Sequence, residues 1–136
     1  PVKQHKTKVT NRYFNYIYVR AGAFTFISRR DGKDIWKNLY ELPLLETACD
    51  LKEEEFYADD KLRTFFADGE KPVFRSVRRG VKHVLSHRII YANFYEVTLP
   101  EDTRSFSGFI KIPVTELERY AVPRLIHQFL EGEGVI

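Results

Sequence analysis

Two largely apolar stretches near the start of the chain have the composition of β-strands. Residues 9–20 and 23–28 are rich in aromatic and β-branched side chains, and Ala21-Gly22 between them is typical of a turn. These stretches predict two strands that form a β-hairpin. A second turn is predicted at residues 30–33, and the Pro43-Leu44-Leu45 run predicts a loop that leads into a buried strand.

The middle of the chain has the spacing of a helix. Asp50 and Glu53 are placed as in a capping box, and the acids at 53–55 would lie in the first turn, where the helix dipole favours negative charge. The predicted helix stops near Asp68-Gly69. Its apolar positions are Phe56, Leu62, Phe65 and Phe66.

The second half of the chain predicts three strands and a helix. Residues 77–99 indicate two strands joined around Ser86-His87, and 109–112 a short third strand. Thr115 with Glu118 predicts a capping box for a helix that Pro123 would break or restart. The apolar stripe of this helix, ending at Gly132, is Leu125, Ile126, Phe129 and Leu130. This order of elements predicts an α+β fold with a mixed sheet.

Composition narrows the class of protein. At 136 residues, with 43% hydrophobic and 30% charged side chains, the chain is expected to fold as a single domain over residues 1–136. No apolar run approaches the ~18 residues of a membrane span, so no membrane partner is expected. Because Cys49 is the sole cysteine, an internal disulfide or a four-thiolate iron–sulfur cluster is excluded, and a reducing, cytoplasmic location is expected. The chain has no Met and begins with Pro1, so we expect it to be excised from a longer protein.

Charge is segregated along the sequence. Residues 1–30 and 71–95 carry Lys and Arg but no acid, whereas 41–70 are predominantly acidic. Two basic segments on one face would form a positive surface for a polyanion. Ordinary solvated faces explain the same pattern equally well.

Candidate catalytic and metal sites are few. His83 and His87 have a spacing that suits two metal ligands on a helix, but here they fall on a predicted strand and turn, which favours a packed or hydrogen-bonded pair. The sequence has neither a Gly-x-Ser-x-Gly motif nor a Gly-rich phosphate loop. The paired acids are explained by helix capping and solvation. No catalytic and no metal-ligating residue is therefore predicted.

The segment 75–88 has a composition that fits nucleic acid. Lys and Arg neutralise phosphates, and Ser or His on a turn can reach a base edge. The alternative is an edge strand that its cations protect from aggregation. The predicted phosphate-binding residues are Arg75, Arg78, Arg79, Lys82 and Arg88.

Four motifs, in this order and spacing, resemble the C-terminal domain of bacterial MutY adenine DNA glycosylases. They are Tyr13-Phe14 with the aromatic residues that follow, Gly32-Lys33-Asp34-Ile35-Trp36 continued by Leu39-Tyr40-Glu41-Leu42-Pro43, Lys82-His83-Val84-Leu85-Ser86-His87, and Tyr120-Ala121-Val122-Pro123-Arg124-Leu125-Ile126. The resemblance implies a Nudix-like α/β/α sandwich with a mixed, twisted sheet. Hydrolases of that fold hold Mg²⁺ with the acids of Gly-x5-Glu-x7-Arg-Glu-apolar-x-Glu-Glu-x-Gly-apolar, which this sequence lacks. Diphosphatase activity is therefore not expected.

The resemblance also implies a lesion-recognition loop at Leu85, Ser86 and His87, with Leu85 where the family often has Phe. Oxidation gives guanine an N7–H donor and a C8 acceptor, and a serine hydroxyl can both donate and accept. We therefore expect Ser86 to read the oxidised base and His87 to support the loop. The implied partner is double-stranded DNA that contains 8-oxoguanine paired with adenine.

Adenine excision would take place in an N-terminal catalytic domain of the same chain that carries a 4Fe-4S cluster. The resemblance therefore implies that these 136 residues are inactive alone and need no cofactor of their own. Two alternatives stay open. One is a Nudix-type hydrolase with relocated metal acids at 53–55, and the other is a protein-interaction module.

Overall fold

A computed structural model describes residues 8–67 and 72–136 of the chain. Within these residues the strands, in chain order, are β1 (Thr10–Arg20), β2 (Phe24–Arg29), β3 (Tyr40–Glu41), β4 (Leu44–Thr47), β5 (Val73–Leu85), β6 (Arg88–Thr98) and β7 (Ile110–Pro113). The main sheet has the order β4-β1-β6-β5, and a smaller sheet has the order β3-β2-β7. Because β1 runs parallel to β6 while the other neighbours are antiparallel, the predicted mixed sheet is confirmed.

Helices cover both faces of the main sheet. The helices are α1 (Glu53–Tyr57), α2 (Asp60–Arg63), a 3₁₀ helix (Val114–Arg119) and α3 (Arg124–Gly132). On one face, Phe129 of α3 stacks on Phe94 with ring centroids 4.1 Å apart. On the other, Phe56 of α1 stacks on Tyr95 at 3.9 Å. We call these the α3 face and the α1 face, and together they give the expected α+β sandwich.

Side chains of β1 and β6 alternate between the two faces. Phe14 and Tyr16 belong to the core on the α3 face, whereas Ile17 and Val19 belong to the core on the α1 face. The parallel register sets Tyr13 beside Tyr91 and Asn15 beside Asn93 on the α1 face. Both sides of β1 are therefore buried over most of its length, as expected for an inner strand of a covered sheet.

The predicted hairpin of the first two strands is wrong. The turn is where the sequence places it, with Gly22 at φ +62°, but only the bridge between Ala21 and Phe24 joins the two segments. Beyond that bridge β2 enters the smaller sheet. The physical reason is that β4 and β6 already occupy both edges of β1.

The single helix predicted after Asp50 is also wrong, because it is two short helices. Lys52, not Asp50, precedes α1, and its backbone N–H donates to the Glu55 carboxylate at 2.9 Å. Asp59 caps α2 by accepting from the backbone N–H groups of Lys61 and Leu62, which starts a new helix. The predicted stop at Asp68-Gly69 lies outside the described residues.

The later elements follow the sequence more closely. The strands on either side of Ser86-His87 and the restart of the last helix at Pro123 are confirmed. The apolar stripe of α3 is buried as predicted. The predicted Thr115–Glu118 capping box is wrong, because a 3₁₀ helix follows Pro113 there without a side-chain cap. Among the described residues, no helix is long and apolar enough to cross a membrane.

Candidate nucleic-acid interface

The tip of the β5–β6 hairpin is the exposed end of the main sheet. Leu85 faces Arg88 in register, so Ser86 and His87 form a two-residue turn, and both are exposed. The backbone N–H of Thr10 donates to the His87 carbonyl at 3.0 Å, which anchors the tip to the start of β1. A serine hydroxyl is therefore presented to solvent on a turn held by two strands.

Leu85 differs from Ser86 and His87 in its burial. It is half-buried and packs against the core on the α3 face. Its side chain fixes the base of the turn, so Ser86 and His87 project beyond the sheet. Of the three predicted lesion-recognition residues, Leu85 therefore anchors the turn, and Ser86 and His87 are exposed.

The cations of β5 do not form one surface. Arg75 and Arg78 lie in register with Glu96 and Phe94, on the α3 face. Arg79, by contrast, donates to the Tyr95 hydroxyl at 2.7 Å on the α1 face. Register shifts between Ser76 and Val81 bend the strand through this region. The idea of a single positive face is therefore wrong for this strand.

Three of the five predicted phosphate ligands already have acidic neighbours. Arg75 pairs with Glu96 at 3.1 Å, and Arg78 with Glu133 at 2.9 Å. Arg79 lies 4.0 Å from Asp50. Lys82 and Arg88 are exposed and have no ion pair within residues 8–67 and 72–136. Unpaired positive charge therefore lies at the tip end of the hairpin, beside Ser86.

The first basic segment contributes less free charge than its composition predicts. Arg12 forms a hydrogen-bonded ion pair with both Asp34 and Glu46, and Arg30 binds Asp34 and Glu41. Sequence inspection missed this network because its acids come from other elements. The only signal was the presence of acids in the turn and strand that follow.

The two histidines occupy different environments. The His83 ring packs edge-to-face on Trp36, with centroids 5.8 Å apart. Burial, with a smaller contribution from the Arg124 charge, lowers the pKa of His83. His87 lies on the exposed turn. Within the described part of the chain, no three His, Cys, Asp or Glu side chains gather as a metal site requires.

The sequence from residue 15 to residue 132 matches the NUDIX domain. The chain belongs to the NUDIX domain family. Comparison with curated protein sequences gives no match.

Solved structures share the fold of this NUDIX domain at low sequence identity. The C-terminal domain of mouse MUTYH, solved in complex with human PCNA, superposes with a TM-score of 0.62 at 13% identity, covering 88% of this chain and 85% of that one. The Nudix hydrolase RenU of M. smegmatis gives 0.58 at 10% identity, with 93% and 87% covered. The E. coli ORF135 protein gives 0.55 at 11% identity, with 90% and 92% covered.

The acids of α1, which are the candidates for relocated metal ligands, make hydrogen bonds close to their own helix. Glu53 accepts a hydrogen bond from the Tyr57 hydroxyl at 2.6 Å, and Glu55 caps the backbone N–H of Lys52. Both carboxylates are thus engaged in contacts within the helix. Mg²⁺ needs several oxygen ligands in near-octahedral geometry, and among the described residues no three acids or histidines lie close enough together to supply them.

Proposed function

We propose that this NUDIX domain is a non-catalytic DNA-lesion recognition domain of an adenine DNA glycosylase. In this proposal the β5–β6 hairpin tip reads 8-oxoguanine paired with adenine in double-stranded DNA. The exposed Ser86 hydroxyl on its anchored turn is the observation that carries the proposal. A hydroxyl suits the oxidised base because it can accept from N7–H and donate to the C8 oxygen.

Charge near the tip supports DNA as the ligand. Lys82 and Arg88 are exposed and have no acidic partner in the described part of the chain, so they can approach phosphates at no cost in lost ion pairs. The other three predicted ligands would have to give up their ion pairs, or share them with a phosphate, in order to bind DNA. These are Arg75, Arg78 and Arg79. We therefore expect Lys82 and Arg88 to make the larger contribution to phosphate binding.

The likeness in fold to the C-terminal domain of mouse MUTYH supports this proposal, because the sequence motifs independently resemble the C-terminal domain of MutY adenine DNA glycosylases. By analogy, the catalytic step and a 4Fe-4S cluster would belong to an N-terminal domain of the parent chain. The acids of α1, engaged within their own helix, support the non-catalytic part of the proposal.

The experiment compares binding of the 136-residue chain to two duplexes that differ only in one base. One carries 8-oxoguanine opposite adenine, and the other carries guanine opposite adenine. We expect tighter binding to the oxidised duplex. Ser86→Ala should reduce the preference by about 5- to 150-fold, the range of a base-edge contact worth ~1–3 kcal/mol.

The matched control is Ser76→Ala on the same strand, far from the tip. It should leave the preference unchanged. An identical preference in the wild-type and Ser86→Ala chains removes Ser86 from the role. Turnover of 8-oxo-dGTP by the wild-type chain in Mg²⁺ would contradict the non-catalytic assignment.

A further inference from the structure

A cleft of about 240 Å³ opens on the α1 face, on the half of the sheet nearer the hairpin tip. Its lining consists of Asn11, Tyr13, Asp50, Gly80 and Tyr91. Helix α1 covers the other half of this face, where Phe56 stacks on Tyr95. Beyond that stack, within the described residues, no helix covers the sheet.

Two aromatic rings form one side of the cleft. Tyr13 and Tyr91 are neighbours on parallel strands, with ring centroids 5.6 Å apart and planes inclined by 17°. Both rings are only half-buried. A further planar ring can therefore extend this stack, because aromatic faces favour offset stacking.

Open space and an acceptor complete the cleft. Gly80 adopts φ +64°, and a Cβ placed there would meet no atom within 4 Å, so the space beside it is free. Asp50 is held by Asn93, whose Nδ2 donates to Oδ1 at 2.9 Å. Asn93 Oδ1 in turn accepts from the Gly80 N–H at 2.8 Å. The side chain of Asp50 is 61% exposed, so its carboxylate can also accept from a ligand N–H.

A cation projects from the same face of the sheet as the cleft. Lys82 lies directly opposite Tyr91 in register, and opposed residues of antiparallel strands project to the same face. It is exposed and has no ion pair within the described residues. An aromatic stack and a carboxylate acceptor therefore line the cleft, and a free ammonium group lies on the same face, opposite Tyr91.

We propose that this cleft binds an unpaired nucleobase of a DNA strand together with its phosphate. The base would stack on the Tyr13–Tyr91 pair and donate an amino N–H to Asp50, and its phosphate would bind Lys82. This combination of stacking and cationic contacts is how proteins hold single-stranded nucleic acid. The inference extends the proposed function, since it adds a second contact with DNA on the α1 face, separate from the Ser86 turn.

The experiment titrates the full chain with the fluorescent single-stranded tetranucleotide dCdAdCdA and follows anisotropy. Amide shifts of Gly80 and Tyr91 in NMR spectra locate the site. We expect binding of dCdAdCdA, weaker binding of dTdTdTdT, whose bases have no amino group, and none of an abasic tetramer. Equal affinity for dAMP and the tetranucleotide would overturn the assignment to a strand, and absence of shifts at Gly80 would overturn the site.

The variants separate the three contacts. Tyr91→Ala should weaken binding about tenfold, the usual effect of losing a base–aromatic stack, and Tyr91→Phe should retain it. Asp50→Asn should reduce the preference for dCdAdCdA over dTdTdTdT, and Lys82→Gln should weaken both. Lys61→Gln, at an exposed lysine of α2, is the matched control and should bind as the wild type does. Unchanged binding in Tyr91→Ala, Asp50→Asn and Lys82→Gln alike would overturn the proposal.

The experiments test the proposed binding site in the cleft and the proposed role of the hairpin tip independently. Ser86→Ala should leave binding of the single strand unchanged, because Ser86 does not line the cleft. Loss of single-strand binding in Tyr91→Ala with an intact preference for the oxidised duplex would support both assignments. An unaltered duplex preference in Ser86→Ala overturns only the tip.

Discussion

Arg12 binds both carboxylate oxygens of Asp34, through hydrogen bonds of 2.8 and 2.9 Å. The pair joins β1 to the loop that precedes β3, and the same guanidinium reaches Glu46 on β4. The Arg12 side chain is only 16% exposed and lies over the Phe14 ring at 5.0 Å. A charge in this position is stabilised by several oxygens and one aromatic face.

Asp34→Asn should destabilise the fold at neutral pH and have little effect in acid. Hydrogen bonding to Arg12, opposed by desolvation, holds the pKa of Asp34 well below its usual range. A lowered pKa in the folded state contributes stability above the unfolded pKa of about 4, and the contribution is lost as the pH falls further. Urea unfolding should show a loss of about 1 kcal/mol at pH 7 that shrinks below about pH 4. A pH-independent difference would contradict the ion-pair explanation.

His83 should make the stability of the fold depend on pH near neutrality. Its pKa in the folded state is lowered by burial, so the unfolded chain binds the proton more readily. Stability should therefore fall as the pH drops through about 6.5 towards the lower folded pKa. His83→Gln should flatten the slope of unfolding free energy between pH 7 and pH 5. His127→Gln, at an exposed histidine of α3, is the control and should leave the slope of the wild type.

The parts of the fold that the sequence predicted depend on neighbours along the chain. The stripe of α3 repeats within one helix, and Ser86-His87 is a local turn between two apolar stretches. Which strands pair with each other depends instead on residues that are distant in the sequence. Nothing local to β1 shows that β4 and β6 occupy its edges, so the hairpin prediction failed.

In the candidate site, too, features set by neighbouring residues were predictable from the sequence, and features set by distant residues were not. Composition correctly singled out the hairpin as basic, but it did not show which cations are neutralised. Arg78 meets Glu133 from 55 residues further along the chain. The stack of Tyr13 on Tyr91 likewise depends on a parallel register that only the assembled sheet defines.

Gly80→Ala should destabilise the chain through its backbone alone. Gly80 has φ +64°, a conformation that costs an L-residue about 1 kcal/mol, and an added methyl group would meet no atom within 4 Å. Thermal unfolding should therefore show a lower Tm for Gly80→Ala. The cause would be the backbone conformation, since the added methyl group makes no clash. Gly32→Ala is the matched control, because that position is equally open and does not have a positive φ. Equal loss of stability in both variants would contradict this reason.

Salt dependence of DNA binding should separate the unpaired cations from the paired ones. Each phosphate contact releases condensed counterions, so its loss lowers the slope of log affinity against log salt by ~0.9 on duplex DNA. Arg88→Gln should show a reduction of this size, because Arg88 is exposed and has no acidic partner in the part of the chain that the structure describes. Arg78→Gln should change the slope less, since Glu133 already neutralises that guanidinium at 2.9 Å. A larger change for Arg78 than for Arg88 would place the duplex further along β5, away from the hairpin tip.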